Sequence, residues 1–258
     1  MIHLYYSTRS LTARRLSTGV TVLGLGLVTF VLAAVLMLSH GIEEALRSGG
    51  RPHNAVILRA GATSETVSAL DREAVRVIGT FPEVARGSRG QPLVSGEVVV
   101  LVAVAQGGGG FVNATTRGVH RESYEARPDV RIVEGRRPTP GTYEIAIGTG
   151  LLGISPEARV GGELSFALAR WPIVGRIDAS GGAFDSELWA DAQRLADAYD
   201  RLTFSSAIAR LTSAAAFPSF AERVENDARF TLEATREDHY WADQAGSMTT
   251  FVRVLGLF

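Results

Sequence analysis

The chain has 258 residues and a formal net charge of −1, with 26 basic and 27 acidic side chains. This balance gives no overall field that would favour nucleic acid, so we expect no nucleic-acid partner. The chain contains no cysteine, which excludes disulfides and thiolate chemistry, and all 26 basic residues are arginine. Without lysine, neither a P-loop nor a Schiff base can form on this chain.

An uncharged apolar run occupies residues 20–38, VTVLGLGLVTFVLAAVLML. As a helix, these residues would extend for about 28 Å. This length nearly matches the ~30 Å hydrocarbon thickness of a bilayer. We therefore predict a first transmembrane helix over residues 19–40.

A short basic leader, residues 1–18, precedes this helix. It carries Arg9, Arg14 and Arg15, and no acidic residue occurs before Glu43. The positive-inside rule places such a leader in the cytoplasm and the residues after the helix outside. A cleaved signal peptide is the alternative, but its apolar region is shorter and ends in a small-x-small site. The sequence SHGIEEAL offers no good site of this kind, so we favour an uncleaved anchor.

Residues 41–245 form the predicted extracytoplasmic domain, in which strand and helix patterns alternate without a regular βαβ repeat. Runs of β-branched or alternating residues predict strands at 56–58, 97–105, 111–119, 163–169 and 171–177. Around residues 87–132 strands dominate, which suggests an inserted strand-rich subdomain. The expected class is α+β, a mixed sheet with helices.

The clearest amphipathic pattern covers residues 185–200, DSELWADAQRLADAYD. Its apolar positions recur at helical spacing, at Leu188, Ala192, Leu195, Ala196 and Tyr199. Asp185 and Glu187 stand near the start of this predicted helix. Two such carboxylates can pair as acid and base. Acids at this position more often cap a helix and interact with its dipole, which is the interpretation we favour.

A glycine motif, Gly148-Thr149-Gly150-Leu151-Leu152-Gly153, follows a predicted strand. The dinucleotide-binding fingerprint needs a helix that opens at these glycines and faces the pyrophosphate. The next residues, ISPEARVGGE, contain a proline and a glycine pair that leave no room for such a helix. We therefore interpret the motif as a strand-to-turn connection.

The five histidines, His3, His40, His53, His120 and His239, are scattered along the chain. They lack the i, i+4 pairing and the nearby carboxylates of a metal-binding helix. No G-x-S-x-G nucleophile elbow occurs either. We predict no catalytic, cofactor-binding or metal-binding residue, and a chain without enzymatic activity.

Residues 246–258, GSMTTFVRVLGLF, are apolar except for Arg253. In a soluble domain they would expose several large apolar side chains without benefit. We interpret this run as the start of a second transmembrane helix, in a sequence that is part of a longer protein or a truncated product.

The order of several segments resembles the permease subunits of ABC transporters of the FtsX-like family, with a MacB-type periplasmic core domain between the first two spans. The segments are RRLSTGVTVLGLGLV, SGGRPHNAVILRAGATSETVSALDREAV, GQPLVSGEVVV, VRIVEGRRPTPGTYEIAIG, WPIVGRIDASGGAFDSELWADAQRL, FSSAIARL and FVRVLGLF. The resemblance lies in their order and spacing along almost the whole chain.

The resemblance implies a subunit of the bacterial cytoplasmic (inner) membrane that works as a pair with a second permease copy. Each copy would engage a cytoplasmic ABC ATPase, and membrane lipid would surround the spans. The family also implies export or release of lipoproteins, peptides or drugs, with a periplasmic adaptor or a lipoprotein as a further partner. A sensory or scaffolding domain held between two spans has the same topology and is the alternative function.

Overall fold

The computed structural model of the chain describes residues 15–47 and 50–244. The described residues belong to two compact units, the first with residues 15–44 and the second with residues 45–47 and 50–244. The predicted leader up to residue 14 and the predicted second span at 246–258 lie outside the described residues.

Helix α1 runs from Arg15 to Arg47. Within it, Gly19–Met37 is long and apolar enough to cross a membrane, and it is the one helix of this kind in the part of the chain that the structure describes. The hydroxyl of Thr29 donates to the carbonyl of Leu25 over 2.8 Å. This bond satisfies a polar group inside the helix, as a hydrocarbon environment requires.

The second unit alternates short helices with ten strands. In chain order they are β1 (Asn54–Arg59), α2 (Arg72–Ile78), β2 (Val94–Ala105), β3 (Phe111–Val119), α3 (Arg121–Ala126), β4 (Arg131–Gly135), β5 (Ile145–Gly148), β6 (Glu163–Phe166), β7 (Ala169–Asp178), β8 (Glu187–Asp191), α4 (Ala192–Ala198), β9 (Ser206–Arg210), α5 (Phe217–Glu225) and β10 (Leu232–Arg236). A further helical segment covers 237–244. Short 3-10 turns lie at Glu65–Val67, Thr149–Leu151, Ala183–Ser186 and Ala214–Ala216. The α+β class is confirmed.

The strands form one mixed sheet in the order β10-β1-β9-β2-β3-β8-β5-β7-β4, with β6 paired to β7. Strand β2 is shared between its two sides, because Val94–Glu97 pairs with β9 while Val98–Ala105 pairs with β3. The long hairpin β2–β3 is antiparallel, as its sequence pattern predicts. Strands β6 and β7 form the predicted pair and are antiparallel, but the chain turns at Ala167–Leu168, within the predicted strand 163–169. The pairs β3–β8 and β5–β7 are parallel. The strands around 87–132 therefore belong to the same sheet as the rest.

Helices cover both faces of this sheet, which explains why β1 is buried over five successive residues. On one face, Ile57 packs in a cluster with Ile78 of α2 and Phe220 of α5. On the other face, Val56 belongs to a cluster with Tyr124 of α3 and with Tyr240 and Trp241 of the 237–244 helix.

The predicted helix over 185–200 is wrong in its first half. Glu187–Asp191 is strand β8, which pairs with β3 on one side and β5 on the other. Leu188 and Trp189 are fully buried on opposite faces of the sheet. A residue pattern that suits a helix is overridden here by strand pairing on both sides, and the helix begins only at Ala192.

Candidate functional site

The glycine motif lies where strand β5 ends. Gly148 is the last residue of that strand, and Thr149–Leu151 forms a single 3-10 turn with no α-helix after it. A Cβ atom at Gly148 would lie 2.2 Å from the carbonyl oxygen of Asp185. The glycine therefore allows close backbone packing, and the motif is the strand-to-turn connection that its sequence predicts.

Asp185 and Glu187 do not cap a helix, so our interpretation of these two residues is wrong. The carboxylate of Asp185 accepts hydrogen bonds from the amides of Ala179 (2.6 Å) and Gly181 (2.7 Å), which closes the turn after β7. Glu187 begins strand β8 and is buried. Its carboxylate belongs to a cluster of charged side chains inside the domain.

Arg117 of strand β3 is the centre of this cluster, with 1% of its surface exposed. Glu65 accepts from both terminal nitrogens, at 2.7 and 2.8 Å. Glu187 accepts from Nε at 2.8 Å and from Nη2 at 2.9 Å, and Glu97 accepts from Nη1 at 2.8 Å. All five N–H groups of the guanidinium thus donate to carboxylates, in the paired geometry that makes such bonds strong.

A second buried arginine extends the cluster. Arg127 follows α3 and donates to Glu97 over 2.5 Å and to Glu237 over 2.7 Å. Glu97 therefore bridges the two arginines. Glu237 also accepts from the side chain of Asn54 (2.8 Å) and from the backbone amide of Arg51 (3.2 Å). We call the six charged residues the charge network: Glu65, Glu97, Arg117, Arg127, Glu187 and Glu237.

The charge network contains four carboxylates and only two guanidiniums. Neutral side chains donate further hydrogen bonds to the carboxylates. The hydroxyl of Ser206 donates to Glu65 over 2.6 Å. The indole N–H of Trp189 donates to Glu187 over 2.9 Å. Hydrogen bonds of this kind stabilise the ionised form of a buried carboxylate.

The pKa of Glu97 reflects a balance between burial and the charges of the two arginines. Burial raises its pKa, but the charges of Arg127 and Arg117 outweigh burial and lower the pKa from 4.5 to about 2. The ring of Phe184 lies against both arginines, 4.9 Å from Cζ of Arg127 and 5.4 Å from Cζ of Arg117. Glu97 is therefore ionised at neutral pH, and the ring of Phe184 covers the two arginines that it bridges.

At one edge, the charge network reaches two chain segments that are far apart in sequence. Gly50 and Arg51 follow α1, whereas Glu237 and Asp238 begin the 237–244 helix; we call these four residues the junction. A Cβ atom at Gly50 would lie 2.5 Å from Cα of Asp238, so the two backbones are in direct contact. The side chain of Arg51 also pairs with Asp129. The junction thus fixes the segment after α1 to the segment that leads towards residue 246.

Two positions in the sequence point to a buried charge network. Glu97 directly precedes the apolar run VVVLVAVA, and Arg117 lies near the end of the predicted strand 111–119. A charged side chain in a buried strand needs a partner of opposite charge, because an unpaired buried charge is very unfavourable. The sequence does not show which carboxylates supply that partner, since they come from separate segments.

Among the described residues, no group of three or more His, Asp and Glu is placed to hold a metal ion.

Comparison with models of protein families and with curated proteins finds no match. Solved structures do match. The periplasmic region of MacB from Actinobacillus actinomycetemcomitans has a TM-score of 0.55 and 12% identity, covering 82% of this chain and 97% of that one. The extracellular domain of the ABC-type transporter YknZ from Gram-positive bacteria has a TM-score of 0.52 and 10% identity, covering 71% of this chain and 100% of that one. The chain therefore has the fold of the extracytoplasmic domains of MacB-like ABC transporters, as its resemblance to that family implies.

Proposed function

We propose that this chain acts in a permease-type subunit of an ABC transporter in the bacterial cytoplasmic membrane. The single observation that carries the proposal is the fold of the second unit, which is similar to the periplasmic region of MacB and the extracellular domain of YknZ. The apolar helix Gly19–Met37 supports it, since a domain of this kind needs an anchor. In this proposal the N-terminus is cytoplasmic, residues 41–245 are outside, and ATP is hydrolysed by a separate cytoplasmic ATPase.

In this proposal, motion of the membrane-spanning helix reaches the domain at the junction. A displacement of the segment after α1 acts on Arg51, whose amide is bonded to Glu237. From Glu237, rigid ion pairs run through Arg127 and Glu97 to Arg117 in the centre of the sheet. Buried, fully paired charges resist local distortion, so the sheet would move as one body.

Two copies of the subunit and their ATPases would form the working complex, which exports or releases a lipoprotein, a peptide or a drug on the outer side. These partners and substrates come from the family resemblance. A sensory domain between two spans remains the alternative, and it differs in its cytoplasmic partner.

Co-purification from membranes tests this function. The tagged chain, expressed from its own gene, is cross-linked in intact cells, extracted in mild detergent, and its partners are identified by mass spectrometry. An unrelated single-span membrane protein with the same tag is the control. We expect an ABC ATPase that is enriched over the control. Enrichment of a histidine kinase or another signalling protein instead, or of no ATPase at all, would overturn the proposal.

A further inference from the structure

A basic groove on the surface of the second unit consists of two adjoining cavities. The larger cavity, of about 620 Å³, is lined by four arginines and one carboxylate: Arg86, Arg121, Arg137, Arg210 and Glu125. The smaller cavity, of about 380 Å³, shares Arg121 and Arg137 with it. The larger cavity thus carries an excess of positive charge, in a chain whose net charge is −1.

The carboxylates in the walls of this groove already have partners. Glu125 accepts from Arg121 over 3.1 Å and from the side chain of Gln91 over 3.0 Å. Asp191, in the wall of the smaller cavity, accepts from the backbone amide of Arg194 over 3.0 Å and caps helix α4. Among the described residues, neither carboxylate makes an ion pair with the other arginines of the groove.

Three of the arginines therefore keep an unpaired charge. Within residues 15–47 and 50–244, Arg86 and Arg137 have no carboxylate partner. Arg210 donates to the backbone carbonyl of Glu125 over 3.2 Å, and this acceptor is neutral. The groove is a region of positive potential that attracts anions. Carboxylates suit it well, because their two oxygens match the fork of a guanidinium.

The loop after β4 holds Arg137 in a fixed position. Its neighbour Arg136 makes a bidentate ion pair with Glu144, at 2.6 and 2.5 Å, and the amide of Thr139 donates to the same carboxylate over 2.9 Å. The Arg137 guanidinium lies over the ring of Tyr124, with Cζ 4.4 Å from the ring centroid. A guanidinium that is held in place before a ligand arrives loses less conformational entropy on binding.

The smaller cavity adds an apolar surface beside the basic one. Its walls include Val119, Tyr124, Pro138, Pro140 and Ala190. Burial raises the pKa of Tyr124 well above its ordinary value, although Arg137 opposes this, so the phenol adds no negative charge. A ligand that fills both cavities needs anionic groups and an adjoining apolar group.

The size and the walls of the groove distinguish between kinds of anion. A water molecule takes about 30 Å³ in the liquid, so an inorganic anion would fill only a small part of either cavity. Cavities of ~300–1,000 Å³ hold organic ligands. Nucleic acids usually stack their bases on exposed aromatic rings. Among the described wall residues, Tyr124 is the one Phe, Tyr or Trp, and it is buried with Arg137 over its ring.

We propose that this groove binds an acidic segment of a partner protein, in which Asp or Glu side chains flank an apolar one. The carboxylates accept from Arg86 and Arg137, and the apolar side chain enters the smaller cavity against Val119 and Pro138. Clusters of arginine recognise acidic segments in this way in other complexes. The site requires only the groove of the second unit, so it does not depend on the transport role proposed above.

Selection of peptides displayed on phage tests this site. A library of random peptides is selected on the full chain, immobilised in neutral detergent, and on two variants. The test variant, Arg86→Gln/Arg137→Gln, removes two unpaired charges and leaves no carboxylate without its partner. The control variant, Arg76→Gln/Arg170→Gln, removes two exposed arginine charges elsewhere.

The peptide that is most enriched on the wild type over the test variant is then synthesised, and its Kd is measured by calorimetry. The same titration is made with a form of this peptide in which Gln replaces every Asp and Glu. Inorganic phosphate, glutarate and a single-stranded oligodeoxynucleotide of equal charge are titrated as competing anions. These three probes separate a peptide site from a site for small anions or for nucleic acid.

We expect the peptides enriched on the wild type and on the control variant to carry Asp or Glu beside an apolar residue. The synthesised peptide should bind the test variant at least about tenfold more weakly, since hydrogen bonds to charged groups are lost. Its Gln form should bind as weakly, and the three other anions should compete only at higher concentration. Thermal unfolding of both variants at the wild-type temperature shows that the fold is intact. If the double variant unfolds earlier, Arg86→Gln replaces it, because this exposed side chain makes no contact with a carboxylate in the described part of the chain.

Four results would each overturn the proposal. They are the absence of acidic sequences among the peptides enriched on the wild type, equal enrichment on the test variant, equal affinity for the Gln form, and tighter binding of phosphate, glutarate or the oligonucleotide than of the peptide.

Discussion

Arg117 is the residue on which the interior of the domain depends most. Its five donors serve three carboxylates, so Arg117→Met leaves Glu65 and Glu187 buried without their ion-pair partner. Removal of one partner from a buried pair costs about 3–5 kcal/mol, because the remaining charge stays desolvated. We expect a loss of this size in the free energy of unfolding, measured by urea denaturation of the full chain in detergent.

The exposed ion pair between Arg229 and Asp227 provides the control for that measurement. Arg229→Met removes an arginine of the same size from a solvated site, so its effect on the unfolding free energy should be much smaller. If Arg117→Met were as stable as Arg229→Met, the charge network would not contribute to folding in the way described.

Glu97 predicts how stability depends on pH. Its pKa is about 2 in the folded protein against 4.5 for an ordinary glutamate, because Arg127 and Arg117 outweigh the effect of burial. A carboxyl group with a lowered folded-state pKa stabilises the fold fully above pH ~4.5, and this contribution is lost as the pH falls towards about 2. Unfolding free energies measured between pH 6 and pH 2 should therefore fall less steeply in Glu97→Gln than in the wild type. Identical slopes in the two proteins would contradict this assignment.

At the scale of elements, the junction depends on the close approach of two backbones. Gly50→Ala places a Cβ atom 2.5 Å from Cα of Asp238, so one of the segments must move. We expect a destabilisation of about 1–3 kcal/mol, typical of overpacking, with faster amide exchange across 237–244. Gly108→Ala is the matched control, since no atom lies within 4 Å of its Cβ position. Unchanged exchange at 237–244 in Gly50→Ala would show that the two segments are not fixed together.

The turn between β6 and β7 is strained. Ala167 and Leu168 have φ values of 49° and 56°, in the left-handed region that favours Asn and Gly, and Leu168 is fully exposed. Two-residue hairpin turns of this type prefer Asn-Gly, so Ala167→Asn/Leu168→Gly should stabilise the domain by about 1–2 kcal/mol. Thermal unfolding measures the gain. A melting temperature below that of the wild type would show that Ala167 and Leu168 do not strain this turn.

Elements with a strict local pattern could be predicted from the sequence. The hairpin β2–β3 follows from its β-branched first strand and from the glycines between its two strands. The strand pair β6–β7 is predicted too, but its turn at Ala167–Leu168 lies inside the predicted strand 163–169. The region 187–191 could not be predicted, because Leu188 and Trp189 sit at positions that suit an amphipathic helix as well as a strand. Pairing with β3 and β5, which are distant in sequence, decides the outcome there.

At the scale of the whole molecule, neither the sheet order nor the charge network could be predicted from the sequence, and the reason is the same for both. Both depend on contacts between distant segments, such as Glu65 with Arg117 or Asn54 with Glu237. Local periodicity carries no information on such pairs. Conversely, the order of segments along the chain indicated the MacB-like fold, although identity to the solved structures is only 10–12%.

Both faces of the sheet are buried, which would give the domain the stiffness that the proposed transmission of motion requires. Helices α2 and α5 cover one face, and α3 with the 237–244 helix covers the other. Because the charge network runs from the junction to Arg117 in the middle strands, a force at the junction acts on the sheet and not on a loop. This arrangement is the basis of the proposal that the domain moves as one body.

A distance measurement in the assembled transporter tests that proposal most directly. The chain has no cysteine, so Leu202→Cys on the exposed surface can carry a single spin label in each copy of the subunit. In the complex with its ATPase in nanodiscs, we predict that a non-hydrolysable ATP analogue changes the label-to-label distance, and that Arg127→Met reduces this change while ATP hydrolysis persists. An identical distance with and without nucleotide, in a complex that hydrolyses ATP, would contradict the account.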